Sequence, residues 1–354
     1  METTSLTTQA KSSQGEAPMS DDGEASVSAI HEQHRDLVEA ATLAPSVHNT
    51  QPWRFSSDGD DLDLWLDQDR QLSYVDWDGR QAHLSCGAAL MHVRVAARAR
   101  GLDVETELLP DQADGTHLAR LRLTEGMPAQ PDEVALAEAI LCRHTYREAF
   151  EERPVPPALL QVLRDDAGSE GASVMIVSDP DVLLEFEVLL AQADRGEELD
   201  PAYREELAAW VGGERTDDGI PTADLPGDPE RGSSLRLRDF ALRGAAGDHA
   251  DPPAPERPAV VVLSSVDDTP LSWLQAGQAL GAVLLRAAQA GVQAQPLGQI
   301  TDSVGYRWRL GVLLGLVSTP QLALRLGYAD AVASTPRRAV DDVLVDRGQL
   351  PEQR

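Results

Sequence analysis

One helix pattern occurs twice in this chain. The stretch from Gly87 to Gly101 and the stretch from Gly277 to Gly291 have equal length. They share Gly87/Gly277, Ala89/Ala279, Leu90/Leu280, Val93/Val283, Ala97/Ala287 and Gly101/Gly291. Both are Ala-rich with apolar residues at helical spacing, and both stop at a glycine suited to a left-handed C-cap. Each is followed later by a similar strand pattern, residues 118–123 and 322–326. Two Ala-rich helices can converge by chance. The matched lengths, glycine ends and following strands favour an internal duplication. A chain of 354 residues has room for two such units, each with its own core.

Periodicity organises the rest. Helices are expected over 28–45, 82–101, 131–143, 156–167, 180–195, 201–211 and 270–291. Strands are expected in 51–66, 103–125, 173–177, 258–263 and 320–328, with a loop at 70–80. Pro156-Pro157 opens a helix as a first-turn signal. Residues 1–27 read as a polar, acidic, disordered tail without the apolar segment of a secretory signal. Residues 196–257 change pattern, with a long Gly/Pro/Asp-rich run after the 201–211 helix. Such an insertion is either a lid or a solvent-exposed loop.

The segment Ala44-Pro45-Ser46-Val47-His48-Asn49-Thr50-Gln51-Pro52-Trp53-Arg54-Phe55 joins a helix to a strand, with stiff proline ends. It either presents fixed hydrogen-bonding groups to a flat polar heterocycle or is a connector whose Trp caps the core. Two arginine pairs, Arg143/Arg147 and Arg337/Arg338, stand out against a net charge of −29. They either pair with surface carboxylates or form a pocket for a phosphate monoester, which Arg grips bidentately.

Three motifs carry a resemblance. Ala-Pro-Ser-x-x-Asn-x-Gln-Pro-Trp-x-Phe at 44–55 resembles the flavin-edge loop of the nitroreductase superfamily, in the form found in its Acg-type actinobacterial branch. Arg143-His144-Thr145-Tyr146-Arg147 is similar to the element that grips the FMN phosphate and ribityl chain there. Thr335-Pro336-Arg337-Arg338 resembles the C-terminal basic site of the same proteins. Together these cover roughly residues 30 to 345.

The resemblance implies an α/β (α+β) nitroreductase-like fold. Two fused, pseudo-symmetric halves, 28–135 and 136–354, would mimic a homodimer, with the 196–257 insertion as a lid. It implies FMN as cofactor. Arg143, Arg147, Arg337 and Arg338 would hold the phosphate. His144 and Thr145 would line the ribityl or ring edge, and Pro45, Ser46, Val47, His48, Asn49 and Gln51 would meet the pyrimidine end. Gly277 would lie by the reactive edge, where a glycine permits close backbone approach. The loop motif occurs only in the first half and the arginine motifs only in the second, so one site should survive and its pseudo-symmetric partner should be lost.

The implied function is an FMN-dependent oxidoreductase passing hydride from NAD(P)H to a nitroaromatic, quinone or similar small aromatic acceptor. The alternative is an FMN-sequestering protein whose lid closes the ring off. The chain is expected to be a monomeric fused pseudo-dimer in the cytoplasm. Its two cysteines, Cys86 and Cys142, suit a reducing compartment. The acidity argues against nucleic-acid and anionic-membrane partners. No apolar run approaches a membrane span. Ser46 with His48 lacks a nucleophile elbow, Cys142 with His144 is a weak catalytic pair, and His31 with His34 lacks further metal ligands. No phosphate-binding P-loop or dinucleotide fingerprint is present.

Overall fold

The computed structural model describes residues 21–111, 113–225, 256–330 and 334–346, and of residues 21–29 only the backbone. The first half runs α1 (Asp21–Thr42), β1 (Trp53–Asp58), β2 (Asp61–Leu66), α2 (Arg80–Ala99), β3 (Leu102–Leu108), β4 (His117–Glu125) and α3 (Pro131–Cys142). The second runs α4 (Pro157–Ser169), β5 (Ala172–Val177), α5 (Pro180–Leu199), α6 (Pro201–Trp210), β6 (Ala259–Ser265), α7 (Pro270–Gln289), β7 (Gln293–Pro296), α8 (Gln299–Asp302), α9 (Val304–Leu313), β8 (Thr319–Gly327) and α10 (Val340–Val343). Proline opens α3, α4, α5, α6 and α7, where its missing N–H costs no intrahelical bond.

Duplication is visible in the topology. Each half holds a four-stranded antiparallel sheet, ordered β1-β2-β4-β3 in one and β5-β6-β8-β7 in the other. The same defect recurs: pairing slips between Leu64 and Trp65 in β2, and between Leu263 and Ser264 in β6. The halves differ by insertion. The β1–β2 hairpin turns at Gly59, whereas α5, α6 and the stretch after them separate β5 from β6. Likewise β3 leads directly to β4, while α8 and α9 lie between β7 and β8.

The repeated helices α2 and α7 cross at the centre. A Cβ on Gly87 would fall 2.3 Å from Leu274 O and 2.8 Å from Gly277 Cα; one on Gly277 would fall 2.3 Å from Leu84 O. The backbones therefore touch where both helices have no side chain. Leu274 and Leu285 of α7 join the core under the first sheet, and Leu84 of α2 joins the core under the second. Neither core is complete without the other half.

Connecting segments are exchanged as well. After α3, Thr145 bridges Ala294 on β7, and Tyr146 N–H donates to Ala294 O at 3.0 Å. After β8 the chain returns to the first half, where Leu344 bridges Phe55 and Val345 N–H donates to Phe55 O at 2.9 Å.

Two boundaries meet helices, and four short elements are added. α1 begins at Asp21, so the end of the expected tail is helical; residues 1–20 lie outside the described residues. A division at 135/136 falls inside α3. β7, α8, α9 and α10 had no clear pattern, being short or, in β7, polar and held at a sheet edge by β8.

Candidate functional site

A cleft between the halves encloses about 1090 Å³, its open mouth included. Pro45, Ser46, Val47, His48 and Asn49 line it from the loop after α1, and Gln81, Leu84 and Ser85 from the start of α2. Arg143, His144, Thr145 and Arg147 come from the segment laid against β7, and Thr335 and Arg337 from the C-terminal strap. Leu280, Gln295, Pro296, Gly298, Asp302 and Leu322 complete it from the second half, with Ile220 from the insertion.

The 46–51 loop is strained. His48, Asn49 and Gln51 have φ of 44°, 56° and 51°, a region that side chains with a Cβ seldom occupy. Hydrogen bonds hold it there. Ser46 Oγ accepts from Gln51 N–H at 2.9 Å, and Val47 N–H donates to Ser85 Oγ at 3.2 Å. Arg70 Nη1 donates to Thr50 O at 2.7 Å. The insertion adds more: Gly219 N–H donates to Asn49 O at 3.2 Å, Asn49 Nδ2 to Gly219 O at 2.9 Å, and Gln51 Nε2 to Asp217 O at 2.8 Å. Arg70 also pairs with Asp218 at 3.0 Å. Such strain persists only where surroundings over-determine it, and here they do.

Three guanidinium groups meet in the cleft. Burial, then Arg337 and Arg147, push the Arg143 pKa down to about 9. Burial lowers Arg147 and Arg337 to about 10, with Asp224 opposing the shift in both and Arg147 adding to it in Arg337. All three remain cationic at neutral pH. Arg143 Nη2 donates to Leu43 O at 3.1 Å and Arg337 Nη1 to Asn49 Oδ1 at 3.0 Å. The Nε atoms of Arg143 and Arg337 are buried and have no hydrogen-bond partner among the described residues. Clustered guanidinium groups, two of them with an unused Nε donor, match the chemistry of a phosphate monoester. Burial first, then Arg143 and Arg337, also lower the pKa of His144.

Three residues expected in the site have other work. Gly277 lies in the α2–α7 crossing, and its close approach is to a helix backbone. Arg338 turns away from the cleft: Nη1 donates to Gln51 O at 3.0 Å and Trp53 O at 3.2 Å, and Nη2 to Asp342 O at 2.8 Å. Gln51 is fully buried, with Oε1 accepting from Arg338 N–H at 2.9 Å. Asn49 lines the cleft, but its amide is shared among Arg337, Gly219 and Pro336. Gln81, Leu84, Ser85 and Leu280 went unread because they sit inside helices, where the crossing selects which face meets the cleft. Among the described residues no His/Cys/Asp/Glu cluster could hold a metal, and no helix is long and apolar enough to cross a membrane. His34 Nδ1 is 2.6 Å from Ser57 Oγ, and both cysteines are free thiols.

The chain belongs to the Acg-type branch of the nitroreductase proteins. It is 34% identical over 313 residues to a Mycobacterium tuberculosis protein named provisionally as the NAD(P)H nitroreductase Acg, covering 87% of this chain and 94% of that one. It is likewise 34% identical over 326 residues to Rv3131 of the same organism, also named provisionally as an NAD(P)H nitroreductase, with 90% and 93% covered. No family model matches the chain. Among solved structures it is similar to a mutant of the FMN- and NADPH-dependent nitroreductase NfnB from Sphigopyxis, with TM-score 0.38, 20% identity, and 60% and 99% of the chains covered. Nitroreductase A from Vibrio parahaemolyticus gives TM-score 0.37 and 14% identity, with 62% and 78% covered.

Proposed function

We propose that the cleft binds FMN and that the protein is an FMN-dependent oxidoreductase of the nitroreductase type, using NAD(P)H and a nitroaromatic, quinone or similar acceptor. The observation that carries this reading is the convergence of Arg143, Arg147 and Arg337 on the cleft that the strained 45–49 loop also lines. Bound FMN supplies the hydride chemistry; the protein supplies binding, orientation and electrostatics.

In this reading the three arginines hold the phosphate, with Thr335 bracing Arg337 through a short side-chain contact. His144 and Thr145 flank the ribityl chain. The 45–48 backbone offers hydrogen bonds to the polar ring edge. Leu84, Ile220, Leu280 and Leu322 give apolar walls that exclude water from a flat ring. The first half contributes the loop and the second half and strap contribute arginine contacts, so one chain supplies both sides of the cleft. We read the protein accordingly as a monomer with an internal pseudo-dimer. The free thiols of Cys86 and Cys142 fit a reducing cytoplasm.

The insertion favours a second reading, in which the protein sequesters FMN with little turnover. Residues 217–220 are fastened to the 49–51 loop, and Ile220 forms part of the cleft wall. Residues 226–255 of the expected lid lie outside the described residues. An anaerobic stopped-flow mix with NADH or NADPH separates the readings. Bleaching of the flavin band within seconds supports the oxidoreductase. A flavin that dithionite reduces and excess NAD(P)H does not supports sequestration. A colourless protein that FMN cannot reconstitute refutes both.

A further inference from the structure

A second cavity of about 960 Å³, mouth included, lies beyond α8. Asp302 borders both this cavity and the cleft, so α8 forms part of the partition between them. Tyr74, Trp77, Tyr203 and Tyr306 supply aromatic rings to the lining, and Glu197, Asp200 and Asp302 supply carboxylates. No Lys, Arg or His is among the lining residues.

The walls are set in advance. Tyr74 donates its hydroxyl to Asp200 through a short contact, and Tyr306 donates its hydroxyl to Gln192 O at 3.1 Å. Glu206 of α6 accepts from Ser73 Oγ, Tyr74 N–H and Val75 N–H, fixing the loop that carries Tyr74 and Trp77. Trp77 is nevertheless 69% exposed and Tyr74 44% exposed, so both rings are accessible among the described residues. Gln299, also in the lining, is only 2% exposed, and its Nε2 has no hydrogen-bond partner among the described residues. A buried, unused amide donor in a polar cavity calls for an acceptor.

We propose that this cavity binds a small organic cation, an ammonium with a neighbouring hydroxyl or carbonyl oxygen. The ring faces and carboxylates attract the cation, and Gln299 Nε2 donates to the oxygen. Hydrogen bonding to Tyr74 holds Asp200 below the usual carboxylate range, so it is ionised at neutral pH. Asp302 is partly offset by Arg80, 3.9 Å away, and by Gln81, and Asp200 also caps α6 by accepting from Ala202 N–H and Tyr203 N–H. One face of Tyr306 already carries a cation, with the Arg309 guanidinium 5.5 Å from its centroid. The same carboxylates disfavour the phosphates of a dinucleotide.

The test uses the full-length protein, with and without FMN, titrated calorimetrically with choline chloride at constant ionic strength. The control is 3,3-dimethyl-1-butanol, in which carbon replaces the charged nitrogen. Saturable choline binding, with little or none for the neutral isostere, is the expected result in both preparations. Trp77→Ala, at an exposed position, should weaken choline about three- to fivefold, the size of an exposed cation–π contact. Gln299→Leu should weaken it further, and thermal unfolding checks that this variant folds; if it does not, Trp77→Ala alone decides. Equal binding of the two compounds, no binding of choline, or unchanged affinity in Trp77→Ala overturns the proposal. Because the FMN-free protein is assayed too, a failure here is distinguishable from a failure of the FMN reading.

Discussion

Replacing Arg143 by Gln should move two measurements in opposite directions. Arg143 is buried, and burial with Arg337 and Arg147 nearby brings its pKa from 12.5 to about 9. At ~1.36 kcal/mol per tenfold in proton affinity, the buried cation carries roughly 5 kcal/mol of unfavourable free energy, taken as an upper figure. Gln removes that charge. It also removes the bond from Nη2 to Leu43 O, worth about 1 kcal/mol, and leaves a small gap. The FMN-free variant should therefore be as stable as the wild type or more stable, by up to about 3 kcal/mol in this balance. FMN binding should weaken by about 2–4 kcal/mol, the usual result of removing one partner from a buried charge pair. That corresponds to ~30- to 1000-fold in Kd. Urea unfolding of the FMN-free proteins and fluorescence titration with FMN give both quantities. If FMN affinity is unchanged, the phosphate assignment fails. If the FMN-free variant loses more than ~2 kcal/mol, Arg143 is a structural residue and the electrostatic account is wrong.

Three other predictions use other measurements. Gly277→Ala would gain ~1 kcal/mol in an ordinary helix. Here its Cβ would sit 2.3 Å from Leu84 O, so overpacking should cost ~1–3 kcal/mol in urea unfolding, and a more stable variant would contradict the close crossing. His92, fully buried with Nδ1 3.1 Å from Ala40 O, has its pKa lowered to about 3 by burial first and Arg143 second. Because the folded value lies below the unfolded 6.5, its contribution is present above pH 6.5 and lost as pH falls toward 3. Wild type should lose ~2 kcal/mol from this group between pH 6.5 and 5, and His92→Asn should flatten that limb of the stability profile; an unchanged slope would show His92 does not titrate there. FMN should saturate at one per chain in equilibrium dialysis. The loop between α1 and β1 spans residues 43–52, whereas α4 reaches β5 through Glu170 and Gly171 alone, and two bound flavins would refute the lost partner site.

Much of the site was readable because it comes in short runs. Pro45 to Asn49 lie together, and so do Arg143, His144, Thr145 and Arg147; each run arrives at the cleft as a piece. Reading failed where neighbours in sequence point apart. Arg337 and Arg338 are adjacent in the strap, yet one lines the cleft and the other ties Gln51 and Trp53 to the strap. For Gly277 the physical reason was sound and the partner was different: the glycine permits close approach, and what approaches is Leu84 and Gly87 of α2. Gln51 looked like a recognition amide, but it is consumed in holding the loop, with Oε1 on Arg338 N–H and Nε2 on Asp217 O.

By itself, the sequence determined the repeated helix, most helix and strand positions, and the segments able to meet a phosphate. These follow from periodicity, proline and glycine placement, and the choice of arginine in an acidic chain, all of which act over a few residues. Tertiary structure brings Arg143 and Arg337, nearly two hundred positions apart, to one cleft, a meeting that only the family resemblance had implied. It also decided that α2 and α7 cross at paired glycines, and that the insertion at 217–220 braces the loop at 49–51. Nothing local encodes such meetings, because they depend on how two cores and two exchanged segments close on one another.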